Sequence, residues 1–416
     1  MNESRSDYKV TPHLTAFLKT VFFAIYLTVF CSDITLQVHS SYYTPANVKK
    51  ITQVLQKYVA SDDVTTNKLL GASAIVVDQN GVLYSGTAGK TDFSPDAQPF
   101  SLDFFGWIAS CSKLVTSTAA MQLVQESRIG LDQDVRLIVP KLNTLQIIRG
   151  FDNSGIPVVE NDTLPIDLRY LLTHTMGMTY EPGTPDLIRY NACINRTESA
   201  FDFTREGYLP ALIRAAVVGW QYGASLDWAG QLIERVGGKG LDSYMAQRIF
   251  GPLRMRSTAF FPEVPRQAAG HEIVISTRTE NGSLALMPRE PALPPTQEML
   301  SGGAGLASTA RDYGVFLSAL LRGTLREHLA KDPNTGGGSM IGIPQGTPII
   351  HGLGGVMNRV DVPVKRRAGS VSWGGASNPR WWVDRKSGVA CILFVNHMPW
   401  GDQVVIDLWN ELENED

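Results

Sequence analysis

Two hairpin signals at opposite ends of the chain constrain its fold more than any other feature. Near the start, Ala72-Ser73-Ala74-Ile75-Val76-Val77 and Val82-Leu83-Tyr84 flank Asp78-Gln79-Asn80-Gly81, whose Asn-Gly pair suits a tight turn with positive φ. Near the end, Trp381-Trp382-Val383 and Val389-Ala390-Cys391-Ile392-Leu393-Phe394-Val395 flank Asp384-Arg385-Lys386-Ser387-Gly388. The material between reads as helical. Helices are predicted over Ser112 to Ser127, Leu168 to His174, Ser225 to Val236 and Thr309 to Leu321, the third stopped by Gly237-Gly238 and the last entered after Ser301-Gly302-Gly303-Ala304-Gly305. A further amphipathic helix is predicted from Pro45 to Val59, with Val48, Ile51, Val54, Leu55, Tyr58 and Val59 at helical spacing. Asp332 to Ser339, rich in glycine, reads as a flexible loop. Both chain ends are therefore expected in one antiparallel sheet, with the middle of the chain as a helical lobe, an α+β arrangement.

A chain of 416 residues, 44% of them hydrophobic, can bury a large core as one big domain or two that share a site. The formal net charge of −3 and the lack of a Lys/Arg block argue against nucleic acid as a partner. The four cysteines, Cys31, Cys111, Cys193 and Cys391, are too few and too scattered for a disulfide framework or a zinc site.

The N-terminus leaves alternatives open. Leu14 to Cys31 is largely apolar but interrupted by Lys19, and its unbroken part, Val21 to Phe30, is shorter than the ~20 residues of a spanning helix. A signal-peptide core fits it better, with Arg5, Lys9 and Lys19 ahead and a small-residue site before Ser32. An uncleaved anchor, giving membrane association through residues 14–31, and a buried amphipathic extension are the alternatives. Acceptor triplets for glycosylation begin at Asn161, Asn195 and Asn281, which fits the secretory pathway. Removal of Cys31 would leave an odd number of cysteines, which favours a reducing compartment such as the cytoplasm.

The chemistry centres on Trp107-Ile108-Ala109-Ser110-Cys111-Ser112-Lys113, which runs directly into an apolar helix. A serine hydroxyl attacks an acyl carbon poorly until a neighbour takes its proton, and a lysine or a tyrosine can do so. Three-residue spacing puts Ser110 and Lys113 on one helix face, one turn apart, and a helix starting there aims free N–H groups at the reacting centre. Ser-x-x-Lys alone arises roughly once or twice by chance in such a chain, as at Ser6 to Lys9, so the rest of the sequence has to carry the assignment. Tyr222, in Trp220-Gln221-Tyr222-Gly223-Ala224 just before a helix, is a candidate proton carrier among 13 tyrosines. Trp373-Gly374-Gly375-Ala376 precedes the last hairpin. Its glycines let backbone approach a ligand closely, and an N–H there could pair with that of Ser110 as an oxyanion hole.

Other chemistries lack their motifs. No His-Glu-x-x-His occurs among the seven histidines, so no catalytic metal is expected. His174 reads as a residue that caps or hydrogen-bonds a turn, and His351, in His351-Gly352-Leu353-Gly354-Gly355, as the mark of a loop, with a place in the lining of a site as the alternative. The glycine clusters fit neither a dinucleotide fingerprint nor a phosphate loop, so no cofactor is expected, and Gly-x-Ser-x-Gly is absent.

Taken in order, Ser110-x-x-Lys113, Leu171-Leu172-Thr173-His174-Thr175-Met176-Gly177-Met178, Tyr222, Gly302-Gly303-Ala304-Gly305-Leu306-Ala307-Ser308-Thr309 and Trp373-Gly374-Gly375 resemble the serine β-lactamase-like superfamily, from about Thr44 onward. Tyr222 to Gly230 and Asn378 to Asp384 look most like the fungal acyltransferases of the lovastatin-pathway type, next to the class C-like esterases. The resemblance implies a β-lactamase/transpeptidase-like fold: residues 1–43 as an extension outside the pattern and 44–416 as the catalytic domain, with 44–110 and about 300–416 in an α/β lobe and about 111–299 mainly helical. It implies Ser110 as nucleophile, Lys113 and Tyr222 sharing base and acid work, and Trp373, Gly374, Gly375 and Ala376 bordering the acyl site. Penicillin-directed members carry Lys-Thr-Gly where Trp373-Gly374-Gly375 stands, and their tyrosine motif ends in Asn where Ala224 stands, which argues against lactam chemistry. The expected activity is transfer of an acyl group from a thioester or ester donor, including one on an acyl carrier protein, to a hydroxyl of a small polyketide-type metabolite. A carboxylesterase using the same residues is the alternative, ahead of a β-lactamase or a non-catalytic binding module.

Overall fold

The structure, a computed structural model, describes residues 45–60, 68–180, 184–208, 219–287, 293, 297–323, 341–395 and 397–414. The apolar segment at 14–31, Ser6 to Lys9 and the glycine-rich stretch 332–339 lie outside the described residues. Among the described residues no helix is long and apolar enough to cross a membrane.

In chain order the first part runs α1 (Pro45–Tyr58), β1 (Gly71–Asp78), β2 (Val82–Gly89), β3 (Phe105–Trp107) and α2 (Ser112–Gln125). The middle holds a ribbon of β4 (Gln146–Phe151) and β5 (Pro157–Asn161), then α3 (Leu168–Thr173), α4 (Pro185–Cys193), α5 (Ser225–Gly237), α6 (Leu241–Met245), α7 (Gly251–Leu253) and α8 (Glu263–Ala269). There follow β6 (Ser276–Arg278), β7 (Leu284–Leu286), β8 (Ala307–Thr309) and α9 (Ala310–Arg322). The chain closes with β9 (Ile349–Gly352), β10 (Gly355–Asn358), β11 (Val371–Gly374), β12 (Arg380–Asp384), β13 (Val389–Val395) and α10 (Gln403–Asn414).

The main sheet has seven antiparallel strands in the order β2-β1-β13-β12-β11-β10-β9, so strands from both ends of the chain meet at its centre. The two hairpin turns expected from the sequence are built alike. Asp78 Oδ1 accepts the N–H groups of Asn80 and Gly81 at 2.7 and 2.9 Å, with Gly81 at φ 147°, and Asp384 Oδ1 accepts those of Lys386 and Ser387 at 2.9 and 3.1 Å. Side chains alternate across the sheet. Ala72, Ala74, Val76, Cys391 and Leu393 pack with Ile51 and Leu55 of α1 and Leu408 and Trp409 of α10, while Ile75, Val77, Ile392 and Phe394 face the main core with Phe316 and Leu317 of α9. A sheet covered on both faces favours apolar residues at every position, which is why β13 and residues 74–77 of β1 read as continuous apolar runs.

Helix α2 is buried nearly all round, with Ser112, Lys113, Thr116 and Ser117 inside as well as Leu114 and Val115, so it runs through the molecule and not along its surface. It packs against α5, which in turn packs on α3. Several features depart from the sequence reading. His351 lies in a strand, β9, paired with Val356, and not in a loop; strands of four residues broken by Gly352, Gly354 and Gly355 are too short to show alternation. Helix α10 and the ribbons β3–β8, β4–β5 and β6–β7 were not anticipated. Cys111 and Cys391 are buried and free, and Cys193 is exposed and free.

Candidate active site

Strand β3 pairs with β8 and delivers the chain into a tight 3₁₀ turn, Ala109–Cys111, whose end is fixed by the Tyr313 hydroxyl donating to Cys111 O at 2.9 Å. Ala109 holds φ at 43°, a left-handed conformation that costs a non-glycine residue on the order of 1 kcal/mol or more. That turn sets half-buried Ser110 two residues before α2, and Lys113, 1% exposed, one helical turn further on.

Tyr222 arrives from the segment before α5. Gly223 fits there because a Cβ would lie 2.3 Å from Met178 O, so the two backbones touch and their tyrosines, Tyr180 and Tyr222, stand with ring centroids 5.6 Å apart. The three residues singled out by sequence come together. The Tyr222 hydroxyl lies 2.6 Å from Ser110 Oγ, 112 residues away in the chain, and Lys113 Nζ lies 3.2 Å from the same oxygen and 4.7 Å from the Tyr222 ring centroid.

Lys113 Nζ also donates to Gly303 O at 2.9 Å and to the Tyr180 hydroxyl oxygen at 3.4 Å. Behind Tyr180 lies the fully buried Asp227, in the first turn of α5. Its Oδ2 accepts from Tyr180 at 2.8 Å, and its Oδ1 accepts from the Gly303 N–H at 2.9 Å and from the Ser301 hydroxyl. Burial pushes the Asp227 carboxyl up, against the Lys113 cation and these three donors, which hold it down. Burial and the Asp227 charge push the Tyr180 phenol well up. Sequence reasoning missed Tyr180, Asp227 and the role of Gly303. The one visible signal was an acid, Asp227, inside the apolar run Leu226 to Ala229.

The predicted acyl-site border lies on the other side. Trp373, in β11, points its Nε1 at the Tyr222 oxygen, 3.4 Å away, with ring centroids 5.3 Å apart. A Cβ on Gly374 would meet the Trp400 ring at 2.4 Å, and one on Gly375 would meet Ile108 O at 2.2 Å, so β11 ends hard against the backbone leading to Ser110. Gly375 N–H donates to Pro379 O at 2.9 Å, which closes the turn that carries Ala376.

A wall of rings completes the site around Tyr222: His174 at 4.8 Å and Trp220 at 6.0 Å between centroids, with His351 5.1 Å from His174, 5.7 Å from Trp220 and 5.5 Å from Trp373. His174 is the left-handed cap of α3 at φ 57°. Its Nδ1 lies 2.9 Å from Ser225 Oγ and 3.4 Å from the Gly223 N–H, so this nitrogen is an acceptor. His351 Nδ1 lies 2.8 Å from the Gly352 carbonyl, so that nitrogen carries the hydrogen. Both rings are neutral. Burial, then His351 and Lys113, hold His174 well below the usual imidazole range, and burial with the Lys113 charge takes His351 down to about 3 against the pull of the Gly352 carbonyl. Among the described residues no group of three or more His, Cys, Asp or Glu is placed to hold a metal ion.

The chain has counterparts in sequence and in fold. The acyltransferase calJ of Penicillium decumbens is 31% identical over 355 residues, 79% of this chain and 84% of that one. The lovastatin esterase of Penicillium rubens is 29% identical over 353 residues, 78% of this chain and 88% of that one. The solved structure of unliganded simvastatin synthase LovD from Aspergillus terreus superimposes with a TM-score of 0.76 at 27% identity, covering 89% of this chain and 97% of the other. A match to the Beta-lactamase family extends over residues 51–414, through every element that positions the site, and the chain belongs to that family.

Proposed function

We propose that the protein is a serine acyltransferase in which Ser110 carries the acyl group between a thioester or ester donor and the hydroxyl of a small polyketide-type acceptor. The observation that carries this reading is the convergence on Ser110 Oγ of the Tyr222 oxygen at 2.6 Å and Lys113 Nζ at 3.2 Å, which sets beside the nucleophile a hydroxyl that can take its proton once ionised and a neighbouring nitrogen donor. Ser110 Oγ attacks the acyl carbon as its proton passes to the Tyr222 oxygen, which enters the step as phenolate. The N–H groups of Ser110 and Ala376 hold the oxyanion, and Lys113 offsets the charge at Oγ. Collapse expels the thiol or alcohol, which takes the proton from Tyr222. The acceptor hydroxyl then gives its proton to Tyr222 and attacks the acyl-serine, and the second collapse returns a proton to Ser110.

Two features support transfer of uncharged acyl groups over lactam chemistry. The β11 position next to Tyr222 holds Trp373 and not a lysine, so no cation there awaits a carboxylate, and the wall of Trp220, Trp373 and two neutral histidines offers water few charged partners. The relatives named acyltransferase and simvastatin synthase support the same direction. A thioester borne on an acyl carrier protein is among the donors proposed. The relative named lovastatin esterase favours hydrolysis as the second reading, since water can replace the acceptor at the same acyl-serine.

The test is intact-mass measurement after incubation with a short-chain acyl thioester, with Ser110→Ala as control. An adduct on the wild type only, released faster by added alcohols than by water, is the expected result; rapid release as free acid selects the esterase. Neither adduct nor turnover with thioester and activated-ester donors overturns the enzyme reading.

A further inference from the structure

We infer that Tyr180 and Asp227 are a positioning pair that sets the direction of the hydrogen bonds around Lys113, with Asp227 taking the Tyr180 hydrogen so that the Tyr180 oxygen must accept from the Lys113 amino group. The inference rests on the reading of Ser110, Lys113 and Tyr222 as the acyl-transfer centre.

The directions follow from which groups can only donate. Gly303 N–H donates to Asp227 Oδ1 at 2.9 Å, and Ser301 Oγ accepts the Ala304 N–H at 2.8 Å, which leaves the Ser301 hydrogen for the same Oδ1. With Oδ1 occupied by two donors, Oδ2 faces Tyr180 at 2.8 Å, and a carboxylate can only accept. The Tyr180 hydrogen therefore points to Asp227, and its lone pairs face Lys113 Nζ at 3.4 Å. Gly303 ties the same two groups a second time, since its N–H binds Asp227 while its carbonyl accepts from Lys113 at 2.9 Å. A Cβ on Gly303 would lie 2.6 Å from Asp227 Oδ2 and 2.7 Å from the Tyr180 hydroxyl, so the cluster has no room to rearrange.

Lys113 Nζ thus has three acceptors, Gly303 O, Tyr180 Oη and Ser110 Oγ, which match the three hydrogens of an ammonium group. An ammonium so held has no lone pair for the Ser110 proton, which goes to Tyr222 instead. The titratable groups around Lys113 are Tyr222, Tyr180, Asp227, His174, His351 and Cys111, with Tyr208 beyond Asp227. Both histidines are kept neutral by burial, and burial likewise pushes the Cys111 thiol and the Tyr208 phenol up. Among these described residues Asp227 is the one carboxylate, and so the countercharge for Lys113.

The test is the pH dependence of single-turnover acylation by a p-nitrophenyl ester. Asp227→Asn preserves shape, but its amide nitrogen has to face Tyr180, because the Oδ1 site still receives two donors. The Tyr180 hydrogen is then turned onto Lys113, and the ammonium loses both an acceptor and its countercharge. The expected result is a fall in acylation of roughly 100-fold at neutral pH and a shift of the alkaline limb to lower pH by about a unit or more. Tyr180→Phe removes the relay and is expected to move the limb the same way, and the double variant no further. A purely structural role would lower the rate and leave the limb in place. If Ser110→Ala is inert while Tyr180→Phe, or a folded Asp227→Asn, keeps the wild-type limb, this inference fails alone. If Ser110→Ala still acylates, the reading of the site fails with it.

Discussion

Replacing His351 by Phe should make the protein less sensitive to acid. In the fold the His351 imidazole is 1% exposed, ringed by His174, Trp220 and Trp373, and held down to about 3, whereas in an unfolded chain it takes up a proton near pH 6.5. The folded state therefore binds fewer protons below that value. The stabilisation tied to the neutral ring is fully present above about pH 6.5 and is lost as pH falls toward 3, at about 1.4 kcal/mol per unit. Between pH 7.5 and 5.0 the loss comes to about 2 kcal/mol, a figure that hardly depends on the folded value once that lies below about 4. Phe keeps an aromatic ring among the others and cannot titrate. Urea unfolding followed by tryptophan fluorescence at the two pH values gives the fall in stability for each protein. The fall should be smaller in His351→Phe by about 2 kcal/mol, with the contribution of His174 remaining in both. Equal falls would refute the view that the imidazole is buried neutral, whatever the variant costs at pH 7.5.

Two further outcomes follow from the site. Tyr222→Phe removes the oxygen 2.6 Å from Ser110 Oγ and should lower the acylation rate by about 10²–10⁴-fold with little change in melting temperature, as read by burst kinetics and calorimetry; activity within a few-fold of wild type would exclude Tyr222 as proton carrier. Gly375→Ala puts a methyl group 2.2 Å from Ile108 O and 3.0 Å from Pro379 Cγ, so two backbones must part at a cost of about 1–3 kcal/mol; thermal unfolding should show the loss, and acylation should fall with it because Ile108 stands two residues before the nucleophile.

The central sheet was legible because each hairpin carries its own instructions within about ten residues: an Asp that binds the turn amides, a glycine in the turn, and β-branched runs on both sides. Ser110 and Lys113 were legible for a similar reason, since their relation is one helical turn. Helix α10 could have been read, as Val404, Val405, Leu408, Trp409 and Leu412 recur at helical spacing and are buried. The β9–β10 hairpin could not, with four residues per strand and three glycines. Tyr180, Asp227 and Gly303 form one unit only because the segment after α3, the first turn of α5 and the loop before β8 meet at Lys113, and a single tyrosine or aspartate leaves no periodic trace of such a meeting. His351 reads as a loop residue because glycines around it imitate one, while two of the three rings that make it part of the site, His174 and Trp220, come from segments more than a hundred residues away.

The pairing of β1 with β13 places Ala72 opposite Val395, more than three hundred residues apart in the chain. During synthesis the helices around Ser110 leave the ribosome long before β11, β12 and β13, and contacts of such separation form slowly because the loop must close before they bring any gain. The nucleophile therefore exists, in sequence order, well ahead of the strand end that presses against its backbone and the tryptophan that faces its tyrosine. A nascent chain carries Ser110 before Trp373 and the turn of Gly375 and Ala376 have been made. The proposed site is in this way complete only once the final strands have slotted between β1 and the rest of the sheet.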